Sequence, residues 1–339
     1  MPERWLGSRS TLTKALGSPP LLAAAAGKKL TTREGLLAEA TRLLATPAAS
    51  ETVKNFHDQL LVMREYETIS KDEDDFPEFA GDGLAEDLRL EGLNFVQNVV
   101  FTEKKGLSQL LTAPYTFANA RIRDIYGLPA GTSTNPDEFT KVDLDPTQRA
   151  GMLTQAGFLS AHGEQGTPNL IMRGVHIAKR VLCLDIPPPP DGVPALPELD
   201  PNSTNRQRVE ELTASTACAG CHAAIINPLG VAFENLDGVG KFRTMENNLP
   251  VDASGSYSLD ERDFTYGVAV DLVREMAASY QAHACYSKNW VEYLYGRTVD
   301  RSADADLINQ AGRLSRTTES VQDLILNLIA TEAFTSRMP

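Results

Sequence analysis

The chain has 339 residues, of which 42% are apolar, 23% charged and four cysteine, with a formal net charge of −13. That length can bury a sizeable core in two or three compact units. The acidic balance argues against nucleic acid as a partner, because phosphate binding needs clustered Lys and Arg. Four cysteines are too few for a disulfide scaffold, and no stretch approaches the ~20 apolar residues of a membrane helix.

Arg4, Arg9 and Lys14 look like the charged region of an export signal, but the apolar run Leu21 to Ala26 is too short for a signal core and follows Pro19-Pro20. Residues 1–31 are therefore expected to be poorly structured, either disordered or the remnant of an upstream module. The native export signal is expected to be missing from this chain.

From Thr32 the pattern turns helical. Thr32 can cap the helix, Glu34 adds first-turn charge, and Leu36, Leu37, Ala40, Leu43 and Leu44 recur at helical spacing. A second helix is predicted from about Thr52 to Tyr66. An acidic loop, Lys71 to Asp75, follows; it lacks the ligand spacing of known calcium loops. A third long helical region is predicted over Leu84 to Leu111, then a turn at Pro114 and a short helix ending at Gly127.

Asp145-Pro146 predicts a helix start. The loop Gly163 to Pro168 separates that helix from one at about Asn169 to Leu184. Pro187 to Pro190 must be extended, and Pro194, Pro197 and Pro201 continue the linker. Thr204 to Leu212 reads as a helix. Residues Lys241 to Tyr257 are the best hairpin candidate, with Asn247-Asn248 at the turn. Helices return from Phe264, one of them ending at Gly296.

The expected fold is mainly α. It comprises residues 1–31, an N-terminal helical domain (32–186), a proline-rich linker (187–203), a small module with a β-hairpin (204–260) and a C-terminal helical module (261–339).

Cys218-Ala219-Gly220-Cys221-His222 is the Cys-x-x-Cys-His attachment sequence for c-type haem. Two cysteines three apart on one helical turn can each form a thioether with a porphyrin vinyl group. The next histidine then offers its imidazole to the iron as proximal ligand. Two other readings compete. A zinc site would need a fourth ligand, and a redox disulfide would want a βαβ context. A backbone carbonyl near Asn227-Pro228 is a candidate acceptor for the second ring nitrogen of His222.

For the sixth iron position the candidates are His162, in a Gly-rich loop, then Met245, then an open site. Met152 and Met172 read as core residues, and His57, His176 and His283 as structural histidines. Arg243 could pair with a haem propionate or form a surface salt bridge. Cys183 and Cys285 could join in an oxidising compartment or remain two buried thiols. No Gly-x-Ser-x-Gly elbow or nucleotide loop stands out, and the catalytic residues are unassigned.

Several strings stand together: Arg149-Ala-Gly-Met-Leu-Thr-Gln-Ala-Gly-Phe-Leu, Arg173-Gly, Ile186 with the four prolines after it, Pro228-Leu229-Gly230 and Phe233-Glu-Asn-Leu-Asp237. With the Cys218 to His222 segment they resemble a family of large exported bacterial proteins, planctomycete- and myxobacterial-type cytochrome c proteins built from consecutive domains of unknown function. Gly240-Lys-Phe-Arg-Thr, the run from Leu249 to Gly255 and the close at Tyr293 to Arg297 continue the likeness. The resemblance covers roughly residues 32–337 and implies haem c (iron) and a periplasmic or extracellular location. It implies no particular substrate. The expected function is single-electron transfer to a redox partner protein in the cell envelope. The alternatives are a haem-dependent oxidoreductase with a substrate site in the N-terminal domain, and a non-redox cell-envelope binding module.

Overall fold

The computed structural model describes residues 19–79, 81–188, 202–318 and 320–335. The fold is mainly helical, with three small two-stranded antiparallel sheets among the described residues. Linker residues 189–201 and residues 1–18 lie outside the described part. The rest of the first 31 residues is ordered into helix α1 (Pro19–Ala26) and a 3₁₀ turn at Lys29–Thr31. No described helix is long and apolar enough to cross a membrane.

Helix α2 (Arg33–Leu44) starts where its cap predicts, with Thr32 accepting from the Gly35 N–H. Helix α3 runs over Pro47–Leu60 and buries Val53, Phe56 and Leu60. It begins five residues earlier than Thr52, because Pro47 supplies the fixed φ of a first helical turn. The long helix expected over Leu84 to Leu111 is interrupted. Helix α4 (Leu84–Gln97) ends in a π-helical turn at Asn98–Thr102. Lys104 has φ +55° and Gly106 is extended before α5 (Leu107–Thr112).

Strand β1 (Tyr115–Ala118), helix α6 (Ala120–Ile125) and strand β2 (Thr140–Asp143) follow; the β1–β2 pair had no sequence signal strong enough to predict it. Asp145-Pro146 starts no helix. The Asp145 side chain instead closes a local turn by accepting from the N–H and hydroxyl of Thr147. Arg149 is then drawn into the core. Helices α7 (Ala156–Ala161) and α8 (Leu170–His176) come next, the latter running into a second π-helical turn at Ile177–Val181.

Beyond the linker, α9 (Asn205–Thr213) opens on a capping box between Thr204 and Gln207. Helix α10 (Thr216–Cys221), a third π-helical turn (His222–Ile226) and α11 (Asn227–Val231) follow without a break. Two hairpins then occur where one was expected. Strands β3 (Met245–Glu246) and β4 (Leu249–Pro250) turn through Asn247 and Asn248, both at positive φ. Strands β5 (Gly255–Leu259) and β6 (Arg262–Tyr266) turn through Asp260 and Glu261, also at positive φ. The expected module boundary between 260 and 261 therefore falls inside a hairpin turn. Helices α12 (Ala269–Ala278), α13 (Tyr280–Tyr295), α14 (Ala305–Thr318), α15 (Val321–Ile329) and α16 (Glu332–Thr335) complete the chain.

The expected modules share one core. A single cluster of buried apolar side chains runs from Val53 through Phe158, Leu229 and Phe233 to Leu328. Phe56 of α3 stacks on Trp290 of α13, ring centroids 3.7 Å apart. His57 meets the Tyr286 hydroxyl at 2.9 Å. Two buried arginines tie the segment after α11 to the N-terminal helices. Arg173 donates to the carbonyls of Phe233, Leu236, Asp237 and Leu159, and Arg149 to those of Thr154 and Gly240. The linker interrupts the sequence without separating the packing.

Candidate functional site

The Cys-x-x-Cys-His segment begins where Ser215, in extended conformation, starts α10. Cys218 and Cys221 lie three apart on that helix, partly buried and unbonded. At Gly220 an added Cβ would meet nothing within 4 Å, so one side of the turn faces open space. Among the described residues no group of three or more His, Cys, Asp or Glu side chains is arranged to hold a metal ion. Cys218, Cys221 and His222 thus do not converge as a tetrahedral zinc site requires.

His222 is partly buried. Its Nδ1 is 3.0 Å from the Oδ1 of Asn227, whose Nδ2 donates to the Thr213 hydroxyl at 2.8 Å. The expected acceptor was a backbone carbonyl in this neighbourhood; the acceptor found is the Asn227 side chain. The backbone around it is fixed by helix packing. A Cβ on Gly174 would lie 2.0 Å from the Ile226 carbonyl oxygen, and one on Gly230 would lie 1.9 Å from that of Leu170. Only glycine lets α8 and α11 approach this closely, antiparallel, beneath the turn that carries His222.

Two open grooves border the segment on its Ala219–Ala223 side. One, of about 420 Å³, lies between α9, Ala219, Ala223 and Asn227 and the hairpin residues Gly255, Ser256 and Tyr266. The other, of about 830 Å³, continues along Ala223, Ala224 and Pro228 to Tyr257 and Phe264. Neither is lined by Cys218, Cys221 or His222. The hydroxyl of Tyr266 donates to the Pro228 carbonyl, and burial pushes that phenol up to about 12.

The other residues singled out in the sequence are placed as follows. His162 packs its ring against Phe158 and His176 and bonds the Phe158 carbonyl at 2.8 Å. Burial holds its pKa down at about 4. Met245 is 53% exposed on β3 and Met172 49% exposed on α8, whereas Met152 is buried. The neighbours of His162 are Phe158 and His176, and Met245 pairs with Pro250 across the β3–β4 turn. Arg243, the candidate propionate partner, is engaged by protein: it donates to the Glu234 carbonyl at 3.0 Å and pairs with the carboxylates of Glu246 and Glu234 at 2.9 and 3.3 Å. His57 and His283 have buried structural partners. Cys183 and Cys285 are joined by a disulfide.

Sequence reading missed two polar groups. One is Asn227 with Thr213, whose only signal was their nearness to the motif. The other is Glu91, buried in α4. Its Oε1 accepts from Thr116 at 2.7 Å and Tyr126 at 2.5 Å, while Oε2 has no partner. Burial pushes this carboxyl up to about 7.

Comparison with protein families adds two matches. Residues 149–246, which contain the Cys218 to His222 segment, are similar to PSCyt3, described as a protein of unknown function (DUF1588). Residues 10–128 are similar to PSD4, described as a protein of unknown function (DUF1592). The second match runs across the expected boundary at residue 32. By name alone these families point to cytochrome c-type proteins. No curated protein and no solved structure shows significant similarity to the chain.

Proposed function

We propose that this protein carries one c-type haem on Cys218, Cys221 and His222 and passes single electrons to a redox partner protein in the cell envelope. The observation that carries the reading is the state of the three donors. Two unbonded thiols share one helical turn, and the imidazole after them has its Nδ1 already bonded, leaving Nε2 for a metal. Haem bound there would supply reversible one-electron chemistry at iron, tuned by axial ligand, burial and hydrogen bonding.

Each thiol would add across one porphyrin vinyl group, and His222 would be the proximal ligand. His162, Met245 and an open site remain the choices for the sixth position. Covalent attachment and the Cys183–Cys285 disulfide both suit an exported protein, periplasmic or extracellular. The net charge of −13 suits a basic partner. The N-terminal polar group around Glu91 is sealed in the core, so it gives no support to a substrate site there.

The test is expression of the chain behind an export signal in a host with haem-maturation machinery. A haem absorbance that survives denaturation and disappears in the Cys218→Ala, Cys221→Ala double variant is expected. Failure of the natural sequence to retain haem covalently would overturn the reading.

A further inference from the structure

We infer that Asn227 and Thr213 are positioning residues that fix the tautomer of His222, and through it the electron donation of His222 to a bound iron. The redox half of this inference rests on the haem reading; the tautomer half concerns the protein alone.

The argument is one of counting protons. Thr213 Oγ1 lies 2.7 Å from the Val209 carbonyl, which can only accept, so the single hydroxyl proton points there. Its oxygen is left to accept, and the group that meets it at 2.8 Å must be the donating end of the Asn227 amide, Nδ2. The other end, Oδ1, then faces His222 Nδ1 at 3.0 Å. An acceptor at that distance requires the ring proton on Nδ1. The Nε2 lone pair is therefore left free. A backbone carbonyl in α9 thus determines which ring nitrogen can ligate, across three hydrogen bonds. Asn227 and Thr213 are both buried, 8% and 5% exposed, so water competes weakly for these bonds.

The backbone is shaped for the contact. In an α-helix the residue four ahead shares a face with its partner, which would put Ile226 over His222. The π-helical turn His222–Ile226 moves that role one residue on, and the Asn227 N–H donates to the His222 carbonyl. Asn227 therefore grips His222 by both main chain and side chain. Wide turns of this kind are frequent at functional sites.

Two measurements test the inference. In the full chain without haem, at a pH where the imidazole is neutral, nitrogen-15 correlation spectra report the His222 tautomer. The Nδ1–H form should dominate in the natural sequence and in Thr213→Ser, and should recede in Thr213→Val and Asn227→Ala. A dominant Nε2–H form in the natural sequence would overturn the inference without any variant. In the haem-loaded protein, Asn227→Asp should favour the oxidised iron. A tenfold change in the ratio of affinities corresponds to about 59 mV for one electron. Asn227→Ala should move the potential the opposite way, and Thr213→Ser, which keeps the hydroxyl, should keep the natural value. Wild-type tautomer ratios in both Asn227→Ala and Thr213→Val would refute the positioning role even if haem binds. If no covalent haem forms, the tautomer spectra still decide it.

Discussion

Cys183 and Cys285 join positions 102 residues apart, and the loop they close contains the entire Cys218 to His222 segment. A cross-link around a loop of that size removes about 4–5 kcal/mol of chain entropy from the unfolded state in the simplest model. The Cys183→Ser, Cys285→Ser double variant is expected to lose stability of that order. A denaturant titration should show a lower midpoint, and reductant should shift the natural protein but not the variant. Equal midpoints for the two proteins would contradict this.

Arg173 is fully buried and donates to four backbone carbonyls, three of them in the stretch Phe233 to Asp237. Burial lowers its pKa to about 10, so it stays charged at neutral pH. Arg173→Met keeps most of the volume but strands those acceptors, each costing about 1–3 kcal/mol. The expected result is a loss of at least about 3 kcal/mol, read by chemical denaturation. Faster hydrogen exchange should concentrate in residues 233–240.

The pH profile of stability should carry opposite signatures. Burial lowers His57 and His162 from 6.5 to about 4, and lowers His176 well below 6.5. The unfolded chain binds more protons on these groups between about pH 4 and 6.5, so stability should fall as pH drops through that window. Glu91 is raised from 4.5 to about 7, so the folded state holds the extra proton and stability should fall as pH rises from 4.5 to 7. Each group contributes a slope of up to about 1.4 kcal/mol per pH unit. Glu91→Gln should abolish only its own limb. Denaturation midpoints from pH 4 to 8 should show the variant gaining on the natural protein up to pH 7 and running parallel above it. Parallel curves throughout would show that Glu91 does not titrate in that range.

Gly174→Ala and Gly230→Ala each place a methyl about 2 Å from a neighbouring backbone carbonyl oxygen. Backbone cannot yield as a flexible side chain does, and overpacking of this kind costs about 1–3 kcal/mol or more. Both variants should melt earlier by differential scanning calorimetry. Gly220→Ala, inside helix α10 with nothing near its Cβ, should instead raise the melting temperature slightly, by about 0.5–1 kcal/mol of helix stabilisation.

The helices α2, α9 and α13 were legible because local chemistry marks their ends: Thr32, Thr204 and Gly296 cap or terminate them where the sequence places them. The breaks were not legible, because they depend on long-range partners. Asp145-Pro146 carries a good helix-start signal, yet the Gly240 carbonyl, remote in sequence, holds Arg149 inside. The β5–β6 hairpin was missed because Asp260-Glu261 is a weak turn signal beside Asn247-Asn248. At the site, the pentapeptide was readable and its support was not. Thr213 reads as an ordinary helix end, and only folding brings it to Asn227.

An α-helix turns the chain by about 100° per residue. The turn His222–Ile226 holds one residue more than the α-turn it replaces, so it sets α10 and α11 out of phase by about that angle. Deleting Ala223 or Ala224, both exposed, would let the helix run on continuously. Asn227 would then stand four residues after His222, the facing position of an α-helix, and would still meet it. Adding a residue there instead would carry Asn227 off that face in a chain that keeps all five letters of its attachment sequence. The pattern to be kept is therefore longer than the pentapeptide: Cys-x-x-Cys-His with an Asn-Pro that faces the histidine across the following turn.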